Sequence, residues 1–164
     1  MKQMLKDWGA ALAVGVLVYV LAGWMFAPKQ LDGLAPDFTL TRADGGSLQL
    51  TSLRGKVTVV NFWGSWCGPC RQEIPDFARF AKAHPEVQLV GVAVRSGSGE
   101  ALQRSAEGLG ITWPVVESTP EVLETYGVSV FPTTYVLRAD GSIAESFVGV
   151  IDEKRLARAV EEAT

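Results

Sequence analysis

Residues 57–74 pass from a β-branched run directly into a pair of cysteines and then into a helix. Val57 to Phe62 is rich in β-branched residues and of the length expected for a buried parallel strand. Trp63-Gly64-Ser65-Trp66-Cys67-Gly68-Pro69-Cys70 follows at once, and Arg71 to Ala83 then has helical spacing, with Ile74, Phe77, Ala78 and Ala81 on one side. Cys67 therefore stands at a helix start, where unpaired backbone N–H groups and the macrodipole favour a negative sulfur. That placement lowers its pKa and raises its thiolate fraction near neutral pH. Pro69 is tolerated there because a first-turn N–H has no helical partner. Two intervening residues bring the sulfurs close enough to bond. Cys67 is expected to attack a partner's disulfide, and Cys70 to break the resulting mixed disulfide.

Two other readings of the pair compete. Half a zinc site needs two more ligands, yet the chain has no other cysteine and its one histidine, His84, sits beside Pro85 at the helix end. A purely structural bridge would close a loop too short to remove much chain entropy. No metal and no cofactor is expected.

The rest of the folded part alternates strands and helices. Phe38 to Leu40 and Leu48 to Leu50 read as strands around an Asp44-Gly45-Gly46 turn, and Thr51 to Gly55 as a short turn. Pro75 should kink the helix after the cysteines. Val87 to Val94 is a second buried strand. Ser98 can cap a helix running to about Leu109, with Gly110 after it. Val115 and Val116 suggest a brief strand. Ser118 to Glu121 fits a capping box for a short helix ending at Gly127. Thr133 to Leu137 and Ser142 to Val148 form a hairpin about Asp140-Gly141, and Asp152 can cap a last helix to about Glu162. This order calls for an α/β domain with a mixed central sheet and helices on both faces.

Trp8 to Pro28 contains no charged residue, and a helix of these 21 residues would be roughly 30 Å long, the thickness of a hydrocarbon core. Trp8 and Trp24 stand near the two ends of this run, where amphipathic rings favour the headgroup level. Lys2 and Lys6 precede it, which favours an inside N-terminus and an outside remainder. Residues 1–29 are thus expected to be a single transmembrane anchor, 30–36 a tether and 37–164 the domain. The competing reading is a cleaved signal peptide. The run is longer than a usual signal core and no clear A-x-A pattern follows. Leu21-Ala22-Gly23 is similar to the start of a lipoprotein cleavage box, but Trp24 stands where the lipidated cysteine would be. Either way, the domain works in an oxidising, extracytoplasmic compartment. From Gln30 onward the chain has 12 Lys/Arg and 17 Asp/Glu, an acidic balance that excludes nucleic acid as a partner.

Val59-Val60-Asn61-Phe62-Trp63 through Cys67-Gly68-Pro69-Cys70 to Arg71-Gln72-Glu73-Ile74-Pro75 resembles the active-site stretch of the thioredoxin superfamily. It is most similar to its membrane-tethered group, typified by TlpA, ResA and the cytochrome c maturation thioredoxins. Ala35-Pro36-Asp37-Phe38-Thr39-Leu40 and the following turn resemble that group's N-terminal hairpin. The resemblance covers about Leu34 to the C-terminus. It implies a thioredoxin fold with an N-terminal β-hairpin extension, and a thiol:disulfide oxidoreductase that keeps client thiols reduced outside the cytoplasm. Apocytochrome c and copper-site proteins are the implied clients, and a transmembrane thiol shuttle the implied electron donor.

The resemblance also implies site residues. Phe131-Pro132-Thr133-Thr134 resembles the segment around the thioredoxin cis-proline, which lies against the cysteine pair and leaves backbone free to pair with a substrate strand. An ordinary trans proline opening a strand is the alternative. Trp66, Gly68, Pro69, Phe131 and Pro132 are expected to meet the client; Trp63 suits a docking rim or the core equally well. Ordinary thioredoxins carry an aspartate where this chain has Asn61, and an amide cannot take a proton from Cys70. Glu73, one helical turn past Cys70, is expected to substitute, the alternative being a solvated helix charge. Other roles open to such a domain are disulfide oxidase or isomerase, and a redox-inactive module that binds clients. Peroxide-reducing relatives place Pro and Thr or Ser ahead of their cysteine, and Asn61 to Trp66 has no such pattern.

Overall fold

The computed structural model describes residues 12, 14–21 and 31–164. Residues 14–21 are helical with exposed apolar side chains, and among the described residues no helix is long and apolar enough to cross a membrane. The anchor expected over 1–29 falls largely outside the described residues. The C-terminal end of the expected tether is bonded to the domain: Ile143 N–H donates to Gly33 O at 2.8 Å and Ala35 N–H to Gly141 O at 3.0 Å.

The chain forms β1 (Thr39–Thr41), β2 (Ser47–Gln49), a 3-10 turn (Leu50–Leu53), β3 (Thr58–Trp63), α1 (Gly68–Ala83), β4 (Gln88–Ala93), α2 (Gly99–Gly108), β5 (Val115–Glu117), α3 (Pro120–Thr125), β6 (Thr133–Leu137), β7 (Ile143–Val148) and α4 (Glu153–Glu162). Five strands make a mixed sheet in the order β5-β4-β3-β6-β7. β3 runs parallel to β4 and antiparallel to β6, and β7 is antiparallel to β6. The mixed sheet and the N-terminal hairpin expected from the sequence are both present. The hairpin β1-β2 is a separate two-stranded sheet, joined to β5 through Ala43 N–H and Val115 O at 2.9 Å.

Successive side chains of a strand point to opposite faces. Along β3 this sends Val60 and Phe62 into a core with Phe38, Leu40, Val92 and Tyr126, on the hairpin and α3 side. Val59 faces Phe77, Phe80 and Leu156 of α1 and α4. Trp63, on the same face as Val59, packs with Cys70, Ile74 and Leu102 of α1 and α2. Trp63 is fully buried, which settles it as core rather than rim. Gly91 in β4 is the space its indole fills, because a Cβ there would lie 2.8 Å from Trp63 Nε1.

Several local expectations shift. α1 starts at Gly68, three residues before the first residue with clear helical spacing, and continues through Pro75. The cap of α3 is Thr119, whose hydroxyl accepts the Val122 N–H at 3.4 Å, rather than Ser118. Ser118 N–H is instead drawn to Ala93 O, which continues the β5 pairing past the last strand residue. Asp152 caps α4 as read, accepting the Arg155 N–H at 2.8 Å.

Candidate active site

The site is assembled at the C-terminal end of β3. Cys67 is the N-cap of α1, with extended backbone angles (φ -85°, ψ 109°), and its Sγ accepts the Cys70 N–H at 3.2 Å. The helix thus presents one of its unpaired first-turn donors to the sulfur, as a cap does. Cys67 and Cys70 are joined by a disulfide, with Cα atoms 5.3 Å apart. Cys67 is 4% exposed and Cys70 fully buried, so the first cysteine is the more accessible of the two.

Glu73 lies on the face of α1 turned toward the sheet and is 1% exposed. It is not a solvated helix charge. The placement follows from register: Asn61 shares a face of β3 with Val59 and Trp63, and its partner across the antiparallel ladder is Thr134. Asn61 Nδ2 donates to Glu73 Oε1 at 2.8 Å and to Thr134 Oγ1 at 3.0 Å. Ile151 N–H donates to Glu73 Oε2 at 3.3 Å. Burial pushes the Glu73 carboxyl up to about 7, against these hydrogen bonds, which hold it down, and with a small further push from the charge of Asp76. Desolvation wins because, among the described residues, no cation faces the carboxylate to offset it. Glu73 shares the inner face of α1 with Cys70, one helical turn away.

The rim is built from three loops. Trp66 is 47% exposed, and Gly64 makes room for its folded-back ring, since a Cβ at Gly64 would lie 2.7 Å from the indole. Trp66 Nε1 donates to Val94 O at 2.9 Å, and its ring meets Phe131 edge-on with centroids 5.6 Å apart. The Phe131-Pro132 bond is cis, as the motif implied. Val130, Val148 and Val150 are exposed beside it, and Gly149 N–H to Pro132 O at 2.8 Å ties those segments together. Apart from Leu34 and the N-terminal segment, the exposed large apolar side chains among the described residues are these three valines and Trp66. Gly68 and Pro69 form the first turn of α1 between the cysteines.

The sequence reading missed two partners in this site. Thr134 is 73 residues from Asn61, and only strand pairing brings them together. Ser96 is buried and its Oγ accepts the Ser65 N–H at 2.8 Å while donating to Val94 O at 3.0 Å, which fastens the loop after β4 to the loop before Cys67. Ser96 lies in no motif, and the cis-proline motif that contains Thr134 does not point to Asn61. Their signal would have been the pairing of β3 with its neighbours.

A strand–Cys-x-x-Cys–helix unit against a cis-proline loop in a mixed sheet defines a thioredoxin-like dithiol domain. The chain belongs to the AhpC/TSA family, whose model matches residues 32–146. It is similar to the thiol-disulfide oxidoreductase ResA of Bacillus subtilis, 33% identical over 148 residues that cover 88% of this chain and 82% of that protein. Among solved structures it is similar to a thiol:disulfide interchange protein of Chlorobium tepidum, at 31% identity and a TM-score of 0.71, covering 82% of this chain and 98% of that one. It is also similar to a secreted disulfide oxidoreductase of Mycobacterium tuberculosis, at 27% identity and a TM-score of 0.67, covering 76% and 94% of the two chains.

Proposed function

We propose that this protein is a thiol-disulfide oxidoreductase, held to the outer side of a cytoplasmic membrane by residues 1–29, that reduces disulfides of client proteins through Cys67 and Cys70. The observation that carries the reading is Cys67 Sγ at the N-cap of α1, accepting the Cys70 N–H at 3.2 Å. A sulfur so placed is stabilised as thiolate. The relatives' names, and the secreted Mycobacterium tuberculosis neighbour, support both the chemistry and the compartment. The uncharged run from Trp8 to Pro28 supports the anchor.

In the proposed cycle the Cys67 thiolate attacks one sulfur of the client disulfide, forming a mixed disulfide and expelling the client's other sulfur as thiolate. Cys70 then attacks Cys67 Sγ, the Cys67–Cys70 disulfide forms, and the second client thiolate leaves. Two electrons pass from the domain's dithiol to the client. Cys70 must lose its proton in a buried setting, and Glu73, with its affinity for protons tuned to neutral pH, receives it. Trp66, Gly68, Pro69, Phe131 and Pro132 meet the client as it lies across the disulfide, with strand-like pairing beside Pro132. Apocytochrome c haem-attachment cysteines and copper-site proteins are the client classes that the family resemblance suggests. Electrons for re-reduction come from a transmembrane thiol donor, because the dithiol is consumed outside the cytoplasm.

Two measurements test this reading. A reporter active only outside the cytoplasm, fused after Thr164, should be active; cytoplasmic activity of such a fusion would end the extracytoplasmic assignment. The midpoint potential of the Cys67–Cys70 couple should lie in the reducing range of thioredoxins, about -270 mV, and a value near the -120 mV of a strong oxidant would make the protein a disulfide donor instead.

A further inference from the structure

One charged side chain at the rim has no role in the chemistry above. Arg95 follows β4 and has φ 46°, the left-handed region that a non-glycine residue seldom adopts. Its loop is fastened on both sides, by Trp66 Nε1 to Val94 O at 2.9 Å and by Ser65 N–H to Ser96 Oγ at 2.8 Å. The result lays the Arg95 guanidinium over the Trp66 ring, 5.1 Å from its centroid. An indole face holds an arginine plane in place while leaving its N–H edge free. Arg95 is exposed and forms no ion pair among the described residues, whereas Arg42, Arg79 and Arg104 each do.

Arg95 also borders a groove of about 480 Å³ that runs from Val94 past Thr119 and Leu123 to Phe131. The groove therefore begins at the docking rim beside the disulfide. Its one carboxylate, Glu117, is occupied: Oε1 accepts the Gly99 N–H at 3.0 Å, at the start of α2, where the helix dipole offsets the charge. Arg95 is the groove's one cation, and its guanidinium has no hydrogen-bond partner among the described residues. The domain as a whole is acidic, but charges beyond about 8 Å are screened at physiological salt, so the guanidinium seated on Trp66 acts locally at the rim.

We propose that Arg95 is a specificity-determining residue that pairs with a carboxylate flanking the attacked cysteine, so that the groove receives an extended client segment with an acidic residue beside its disulfide. This rests on the oxidoreductase reading. Trp66 serves as the shelf that aims the guanidinium, and the Phe131 end of the groove takes the apolar part of the client.

The test uses the full-length protein, reduced and freed of reductant, and disulfide-bonded peptides that differ only in having Glu, Gln or Lys immediately before or immediately after the attacked cysteine. The second-order rate of peptide reduction is measured. In one of the two positions Glu should exceed Gln by about two- to fivefold, the range of an exposed ion pair, with Lys the slowest. Arg95→Lys should keep the order, Arg95→Gln should erase it and Arg95→Glu should invert it. Wild-type rates independent of the flanking residue would overturn the proposal. So would an unchanged order in Arg95→Gln, or an equal loss for all three peptides with the order preserved, which would make Arg95 a support for Trp66. If the wild-type protein reduces none of the peptides, the oxidoreductase reading itself fails, which the neutral Gln peptide reveals independently of Arg95.

Discussion

Asn61 Nδ2 lies 2.8 Å from Glu73 Oε1, so an amide from the central strand is bonded to a buried carboxyl on the active-site helix. Both oxygens of Glu73 accept, one from Asn61 and one from the Ile151 N–H. Two neutral donors do not repay the loss of water around a carboxylate, and the group therefore titrates near neutrality.

That titration predicts a pH signature. The Glu73 carboxyl is raised from 4.5 to about 7 on folding, so between these values the folded state binds more protons than the unfolded one. Its contribution to stability is greatest below about 4.5 and is lost as pH rises through about 7, on the order of 3 kcal/mol in all. The difference in unfolding free energy between wild type and Glu73→Gln should vary with pH over this window. Denaturant unfolding at pH 4.5 and pH 8 measures it, and a constant difference would contradict the assignment.

The same variant probes proton transfer. Glu73→Gln keeps the size of the side chain and removes its basic site. It should slow release of a mixed disulfide at Cys67 by about 100-fold near pH 7, the low end of the range of general-base effects, and should flatten the pH dependence of that step. Stopped-flow resolution of a preformed mixed disulfide is the measurement. A wild-type rate across neutral pH would remove Glu73 from the mechanism.

Thr134→Val should act on Glu73 from a distance. It keeps the shape but deprives Asn61 Nδ2 of its second acceptor, 3.0 Å away in the native site. A buried donor left unpaired costs about 1–3 kcal/mol. Thermal unfolding of the oxidised protein should show that loss, and the pH midpoint for mixed-disulfide resolution should move as Asn61 loosens.

At two glycines a methyl group fits only if a tryptophan moves, with different consequences. Gly91→Ala forces a Cβ to 2.8 Å from the fully buried Trp63 Nε1 and should cost about 1–3 kcal/mol in stability. Gly64→Ala meets the half-exposed Trp66 ring at 2.7 Å, and that ring can swing away. Its stability loss should be smaller, while its client reduction falls, because the Trp66–Phe131 edge of the rim is displaced. Equal stability losses would contradict the distinction between core and rim tryptophans.

Much of this fold and site is legible in the sequence alone. The run from Val57 to Phe62 and the cysteines after it specify a buried strand and a helix start, because strand burial and first-turn chemistry are local properties. The Asp140-Gly141 hairpin and the Asp152 cap are local for the same reason. Glu73 shows where local reasoning stops. Its spacing from Cys70 marks it as a candidate, but its burial depends on Asn61 facing α1 and on Thr134 standing opposite, which is decided by the β3–β6 register. Ser118 shows a competition that spacing cannot resolve: its N–H pairs with Ala93 O in the sheet, and the cap passes to Thr119. Arg95 carries no motif at all, and its position over Trp66 arises from a loop conformation.

In the proposed cycle Cys67 is the attacking sulfur and Cys70 the resolving one. Full-length Cys70→Ser and Cys67→Ser variants, each incubated with a disulfide-bearing client peptide, measure this directly by mass spectrometry of the adduct. Cys70→Ser should accumulate a stable mixed disulfide, at a rate set by a thiol pKa below the ordinary value of about 8.5, while Cys67→Ser forms adduct far more slowly. Equal adduct formation by the two variants, or faster formation through Cys70, would contradict it.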